Sequence, residues 1–464
     1  MLERNVDVAI IGAGTSGLAA YRHALKYTDN VVIIESGPYG TTCARVGCMP
    51  SKLLIAAAES AHSLDIADKF GIEMNSGYKV NGKRVMARVK SERDRFVGFV
   101  LDSIESINPQ KRIRGHATFL DNNTIQIDEN TILKFKTAVI ATGSSPNIPP
   151  FLKELGNRLL VNDDVFNWDD LPKSLAVFGL GVIGLEIGQA LSRLGVKIRM
   201  FGRGGTIGPI SDAEIRKYAQ KAFSEEFYLN PDVKDMQLEN IENGVRLSFT
   251  DKNGEHIEEI VDYVLAATGR TPNVHNLGLE NTSIGHYKNG VPDFNKKTMQ
   301  IENTNLFMAG DAANDIPLLH EAADEGSIAG ANAGSYPKIN EGKRRSPLGI
   351  VFTEPQIAIV GKHCKQLGGT DFVIGQVSFE DQGRSRVILK NKGILHIYAE
   401  MGTGKFLGAE MFGPHAEHLG HLLSWAHQKN MTIPEMLEMP FYHPVIEEGL
   451  RSALRNANEQ LNNK

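Results

Sequence analysis

Residues 6–11 form a short, nearly unbroken apolar run, the pattern of a strand buried on both faces. The run meets Gly12, Gly14 and Gly17, a GxGxxG that opens a helical stretch. A second apolar run, 31–34, stops at Glu35, and together the segments predict a βαβ unit. The pattern then returns. Residues 175–178 read as a strand, and Gly179, Gly181 and Gly184 form a second GxGxxG. Another pair of segments also matches: 138–147 reads AVIATGSSPN and 264–273 reads VLAATGRTPN. The chain therefore carries two copies of one module, each opened by GxGxxG and closed by Ala-Thr-Gly.

The copies differ in length. Thr142 follows Gly12 by 130 residues, whereas Thr268 follows Gly179 by 89. The first copy's surplus lies where Cys43, Cys48 and two amphipathic helical patterns, 52–70 and 84–107, are found. Residues 144–150 (SSPNIPP) and 343–347 (KRRSP) read as linkers. From residue 350 the pattern changes to short alternating strands and then amphipathic helices, which predicts a separate C-terminal domain.

Composition narrows the picture. A chain of 464 residues exceeds one hydrophobic core, which implies two to four domains. A net charge of −5 supplies no basic field for nucleic acid or an anionic membrane. No apolar stretch reaches the ~20 residues of a membrane span, and no secretory signal is visible, so a cytoplasmic location is expected. Three cysteines are too few for a disulfide scaffold or a four-cysteine zinc site.

In a GxGxxG the first glycine allows a tight turn, the second lets backbone approach a pyrophosphate, and the third lets helix pack on strand. The helix N-terminus adds free N–H donors and a positive dipole end. Glu35, ending the second strand, suits a ribose diol. No acid stands at the matching end of the second module, around 198–202; Arg203 follows instead. An Arg can grip a 2′-phosphate that a carboxylate would repel, so this module leans towards NADP(H), the alternative being a solvated Arg203 and NAD.

Cys43 and Cys48 are five apart, about 7.5 Å along a straight helix. A disulfide needs Cα atoms within about 7 Å, so the pair closes only on an irregular turn, which Gly47 permits. Pro50 suits a first helical turn, which places Cys48 at a helix N-terminus with Lys52 one turn on. Both features favour a thiolate. Other residues read two ways. Glu186 is a dipole-complementing or a functional acid, and Asp311 an N-cap or a polyol ligand. His443, held between Pro440 and Pro444 with Glu448 following, is a structural His or a carboxylate-oriented base. Cys364 reads as a core or surface thiol.

Together GAGTSG (12–17), TTCARVGCMPSK (41–52), ATGSSPN (141–147), GLGVIGLE (179–186), ATGRTPN (267–273), FMAGDAA (307–313), FTEPQIAIVG (352–361) and HPVIEE (443–448) resemble the class I pyridine nucleotide–disulfide oxidoreductases, most closely dihydrolipoamide dehydrogenases. The resemblance implies an α/β fold of two Rossmann-like dinucleotide-binding domains, for FAD and NAD(P), plus a C-terminal α+β dimerisation domain. It implies an FAD-binding domain at 1–148 and 273–345, an NAD(P)-binding domain at 149–272 and an interface domain at 346–464. It implies that Gly12, Gly14, Gly17, Glu35 and Asp311 hold FAD, and that Cys48 faces the flavin while Cys43 meets the substrate. Lys52 and Glu186 become an ion pair beside the flavin, and His443 with Glu448 an acid–base dyad acting across a homodimer. Thr42, Ala117, Thr142, Gly143 and Gly269 complete the implied cofactor contacts with Lys52, Gly179, Gly181, Gly184 and Arg203.

Three positions depart from that pattern: Thr41 stands where glycine is usual, Phe441-Tyr442 precede the dyad, and the second module lacks its acid. Relatives with an additional C-terminal cysteine pair, or with a single cysteine, do not fit. A glutathione-type NADPH-dependent reductase remains the alternative, and a non-catalytic FAD-binding redox subunit or sensor a lesser one. No lipoyl segment is visible, so a lipoyl-type dithiol would come from a partner or a small molecule.

Overall fold

The structure, a computed structural model, describes residues 2–74, 76–285 and 290–463. The chain forms two compact units. The first comprises Met1–Pro50, Ser91–Asn147 and Arg270–Arg345; the second comprises Ser51–Lys90, Ile148–Gly269 and Ser346–Lys464.

In the first unit the strand Leu2–Ile11 lies between Val31–Glu35 and Thr131–Ile140, parallel to both. Arg112–Arg114 extends this sheet beyond Val31–Glu35, and Leu306–Met308 beyond Thr131–Ile140. Val8 and Ile10 enter one core cluster while Ala9 and Ile11 enter another, so both faces are covered. That is why the apolar run is unbroken. Two antiparallel strands, Ala117–Asp121 and Thr124–Ile127, complete the sheet. The two helical patterns of the insertion appear as Cys48–Asp65 and Gly82–Glu105, whose residues 51–90 belong to the second unit. The first ends earlier than its pattern, and a separate 3₁₀ turn, Ala67–Phe70, follows and closes on Gly71 at φ 75°.

The second unit repeats the arrangement. Ser174–Phe178 lies between Lys197–Phe201 and Tyr263–Ala266, with Tyr228–Asn230 and Leu159–Leu160 outermost, all parallel. A five-stranded antiparallel sheet follows, in the order Leu348–Val351, Gln356–Gly361, Phe406–Gly413, Ile394–Glu400, Phe372–Ser378. The helices Ala416–Gln428 and Glu447–Asn462 pack on it. Among the described residues no helix is long and apolar enough to cross a membrane.

Both linker readings fall where the chain passes from one unit to the other, after Asn147 and after Arg345, but neither segment is without structure. Ser144–Pro146 pairs antiparallel with Arg270–Pro272, so the two matching ATG segments zip onto each other. In the second supposed linker, Arg344 forms ion pairs with Glu321 at 2.7 Å and Glu325 at 3.0 Å. The strand that precedes Asp311 spans Leu306–Met308.

A buried polar network in the second unit has no counterpart in the sequence reading. Glu410 is fully buried in an otherwise apolar strand. It accepts hydrogen bonds from the Ser211 N–H and hydroxyl (2.7 and 2.6 Å), the Asp212 N–H (3.0 Å) and the Cys364 N–H (2.8 Å). Asp212 caps the helix Ala213–Glu226 and meets His396 at 2.8 Å and Tyr398 at 3.1 Å. Burial pushes its carboxyl up, but the hydrogen bond and charge of His396 prevail and bring it down to about 2. Cys364, read as a lone thiol, hydrogen-bonds with Tyr398, and burial pushes its pKa up.

Two outcomes follow from this network. Glu410→Ala is expected to cost about 3 kcal/mol in urea unfolding, because it strands four buried donors. The stability that Asp212 contributes is present above its unfolded pKa near 4 and is lost as pH falls towards 2. Acid titration of Asp212→Asn should therefore show a flatter loss in that window than the parent, and equal slopes would refute the assignment.

Candidate active site

The glycines of the two loops divide by what surrounds them. A Cβ on Gly12 would lie 2.2 Å from the Ala141 carbonyl oxygen, and one on Gly179 would lie 2.2 Å from that of Ala267. Gly17 and Gly184 likewise press on the carbonyl oxygens of Gly12 and Gly179. Gly14 and Gly181 differ: each has φ −76°, and a Cβ would meet nothing within 4 Å. The protein's own packing makes no demand for glycine there. The open space fronts the N-termini of the helices Thr15–Ala24 and Val182–Arg193, neither of which has a side-chain cap. A phosphate-bearing ligand fits this vacancy and these donors, so the residues present suit a dinucleotide in each module.

Strand register equates the residues that follow the second strand of each module. Ile34 pairs with Ile11, so Glu35 comes next beside Gly12; Phe201 pairs with Phe178, so Gly202 comes next beside Gly179. Glu35 accepts the Ala13 and Gly37 N–H groups, each at 2.7 Å, which fixes its carboxylate at the loop. At Gly202 a Cβ would lie 2.8 Å from Leu180 Cδ1 and 2.9 Å from the Pro231 oxygen. The second module thus has no room for the acid it lacks. Arg199 is engaged by Glu259 at 2.6 Å, whereas Arg203 is exposed.

The paired ATG segments build a polar corner. The Thr142 hydroxyl donates to the Asn273 carbonyl at 2.6 Å, and the Asn273 N–H donates to that of Gly143 at 2.9 Å. Asp311 accepts the Ser144 hydroxyl at 2.6 Å, and Arg270 donates to the same hydroxyl at 2.8 Å. Behind Asp311, the Gly310 N–H donates to buried Glu325 at 2.7 Å, and burial pushes that carboxyl up to about 7. Ala117 is buried at the start of its strand, and Gly269 has φ 101° with open space around its Cα.

The cysteines lie on consecutive helices, Cys43 in Thr42–Val46 and Cys48 at the start of Cys48–Asp65. Gly47 breaks the helix between them at φ −125°, ψ −118°. A Cβ there would press on the Thr42 oxygen at 3.0 Å and Cys43 Cα at 3.1 Å, so the chain folds back tightly on the first cysteine. Cys48 and Thr42 are exposed and Cys43 half-buried. Thr41 is held at φ 58°, ψ 150°, a region costly for a β-branched residue.

In the second unit Lys52 Nζ meets Glu186 Oε2 at 2.6 Å, with Glu186 only 4% exposed. The other Glu186 oxygen accepts the Phe352 N–H at 2.9 Å, and Lys52 Nζ lies 4.5 Å over the Phe352 ring. His443 Nδ1 lies 2.9 Å from Glu448 Oε2, while Arg451 donates to the other oxygen at 2.8 Å. The His443 hydrogen bond holds the Glu448 carboxyl below its usual range. The His443 side chain is 80% exposed.

Comparison with known proteins agrees with this geometry. The family described as pyridine nucleotide-disulphide oxidoreductase matches residues 6–326, and its dimerisation domain matches 348–454. The chain belongs to that family. Dihydrolipoyl dehydrogenase of Geobacillus stearothermophilus is 29% identical over 454 residues, covering 95% of this chain and 94% of that protein. One from Bacillus subtilis is 30% identical over 456 residues, with the same coverage of both. LpdA from Mycobacterium tuberculosis superposes with a TM-score of 0.81 at 22% identity, covering 98% of this chain and 99% of that one. A Cu(II) complex of the HOCl-induced flavoprotein disulfide reductase RclA from Escherichia coli gives 0.80 at 20%, covering 97% and 99%. These two structures share the fold.

As a pyridine nucleotide-disulphide oxidoreductase the chain is an α/β flavin disulfide oxidoreductase, with FAD and NAD(P) the cofactors its family implies and homodimerisation the role of its last domain. Sequence reasoning missed Ser144, Arg270 and Phe352. Ser144 and Arg270 stood in plain view within the two matched ATG segments, but nothing local announced that they pair.

Gly14→Ala is expected to fold normally and to bind FAD at least about tenfold more weakly, since only ligand needs that space. Gly12→Ala should instead lower thermal stability sharply. FAD retention by Gly14→Ala equal to the parent would overturn the fit. Thr41→Gly should gain about 1 kcal/mol in urea unfolding by relieving strain; a loss would mean the Thr41 hydroxyl's bond to the Ala44 N–H outweighs it.

Proposed function

We propose that the chain moves electrons between a dihydrolipoamide-type dithiol and NAD(P), with NADP(H) preferred, through a Cys43–Cys48 disulfide. The observation that carries this reading is the turn at Gly47, which presses tightly on Cys43 and starts a new helix at Cys48. An exposed Cys48 at a helix start, one tight turn after a half-buried Cys43, favours exchange over a structural bridge.

A substrate thiol, deprotonated by His443, attacks Cys43 Sγ. A mixed disulfide forms as the Cys43–Cys48 bond breaks, and Cys48 leaves as thiolate. The second substrate thiol then attacks the mixed disulfide, which releases the oxidised substrate and leaves the pair carrying two electrons. FAD, when bound, supplies the two-electron relay from that pair to the nicotinamide. Glu448 orients His443 and stabilises its charged form. The outward presentation of His443 supports action on the cysteine pair of a second copy in the homodimer. Gly12, Gly14, Gly17, Glu35, Asp311 and the Thr42, Ala117, Thr142 and Gly143 positions are assigned to FAD. Gly179, Gly181, Gly184, Arg203 and Gly269 are assigned to the nicotinamide nucleotide, and Lys52 and Glu186 to the hydride step.

The NADP(H) preference rests on the filled position at Gly202 and on exposed Arg203 following it.

Anaerobic addition of one reductant equivalent should give a long-wavelength thiolate–flavin band, which Cys48→Ser abolishes and Cys43→Ser makes permanent. No band in the parent would sink the disulfide mechanism. Rates with NAD(H) and NADP(H), each against lipoamide and glutathione couples, test substrate and nucleotide together. The expected result is lipoamide over glutathione and NADP(H) over NAD(H). Arg203→Ala should raise KM for NADP(H) about tenfold, ~1.4 kcal/mol, and leave NAD(H) within about twofold. An equal effect on both nucleotides would remove Arg203 from selection.

A further inference from the structure

The Lys52–Glu186 pair depends on a short segment that no sheet holds. Phe352 supplies an N–H to Glu186 and a ring to Lys52, yet it lies just past the strand Leu348–Val351 and before the strand Gln356–Gly361. Residues 352–354 are therefore outside the ladder, and something else must fix their backbone.

We propose that Gln189 is a positioning residue for the Lys52–Glu186 pair, acting through the backbone of Glu354. The inference rests on the reading of that pair as machinery of the hydride step. Gln189 follows Glu186 by three residues on the helix Val182–Arg193, which puts both on one face. It is 3% exposed. Its amide grips Glu354 from both sides: the Glu354 N–H donates to Oε1 at 2.8 Å, and Nε2 donates to the Glu354 carbonyl at 2.7 Å. The remaining Nε2 hydrogen faces the Glu226 carboxylate at 3.2 and 3.3 Å. The nitrogen is assigned unambiguously, because only it can donate to a carbonyl and a carboxylate. Arg193, one turn on, adds a bond to the same Glu354 carbonyl at 3.1 Å. Glu186, Gln189 and Arg193 thus form a row that ties residues 352–354 to the helix.

Packing alone would not hold the segment. A half-open recess with about 10 Å³ of room is lined by Ile55, Ala190, Phe352, Glu354, Glu186 and Gln189. That is about the room for one water. Without the Gln189 clamp, the Glu354 backbone keeps only the Arg193 bond, beside the Lys390–Glu354 side-chain ion pair at 2.6 Å, and its loosening would lengthen the Phe352 bond to Glu186 and shift the ring from Lys52. An acid at 189 would keep the bond from the Glu354 N–H, lose the one to its carbonyl, and confront Glu226.

The test uses the FAD-loaded enzyme with Gln189→Met, which keeps volume and removes the amide, Gln189→Glu, and Glu186→Gln as reference. Stopped-flow measurement separates reduction by NAD(P)H from reduction by the dithiol, and amide hydrogen exchange reports on Phe352 and Glu354. Gln189→Met should slow the nicotinamide step roughly tenfold, leave the dithiol step within about twofold, and speed exchange at both amides. Gln189→Glu should fall in the same direction, and it decides on the same readouts should Gln189→Met not accumulate. Parental rates and exchange would overturn the proposal, as would equal slowing of both steps, which marks a general structural effect. If Glu186→Gln slows the nicotinamide step while the Gln189 variants do not, this inference alone fails. If Glu186→Gln leaves that step unchanged, the reading of the pair fails and takes this inference with it.

Discussion

The contact between the first glycine of each loop and the carbonyl of the facing ATG strand is the constraint on which the rest depends. In both modules the hypothetical Cβ would lie 2.2 Å from that oxygen. Backbone therefore touches backbone, and the helix after the loop starts where its free N–H groups front open space rather than protein. The same closeness fixes register: Gly12 and Gly179 each donate an N–H at 2.8 Å to the last residue or its equivalent on the neighbouring strand, Ile34 and Phe201. The residue after those positions, Glu35 or Gly202, is then compelled to stand beside the loop.

Much of this was legible in the sequence, and for a physical reason. Parallel strands covered on both faces must be apolar throughout, so 6–11, 31–34 and 175–178 announced themselves. Glycines forced by close approach fall at fixed spacing, so the duplicated loop was equally plain. The illegible features are those whose partners lie far along the chain. Glu410 meets Ser211 across 199 residues, and Ser144 meets Asp311 across 167. A carboxylate inside an apolar strand, or a serine in a proline-rich turn, gives no local sign of such a partner. The linkers do lie where the chain passes between units, but nonlocal pairing that composition could not show made part of one a strand ribbon and part of the other an ion-pair anchor.

Glycines and strain concentrate around the cysteines. Thr41 occupies a conformation suited to glycine, and Gly47 breaks the helix immediately before Cys48. A continuous helix would have set the two thiols about 7.5 Å apart along its axis, beyond bonding reach. The break converts one helix into two and leaves the second cysteine at a helix start, where the dipole favours its thiolate.

Duplication makes divergence readable, because every position in one module has a counterpart in the other. Where Glu35 anchors to the Ala13 N–H, the second module has Gly202 against Leu180, a larger residue at the position matching Ala13. Restoring an acid at 202 would require shrinking Leu180 and moving the Pro231 carbonyl as well. The loss of the acid is therefore built into the packing. A single substitution at 202 cannot convert the second loop into a copy of the first, because Leu180 and the Pro231 carbonyl would have to give way with it.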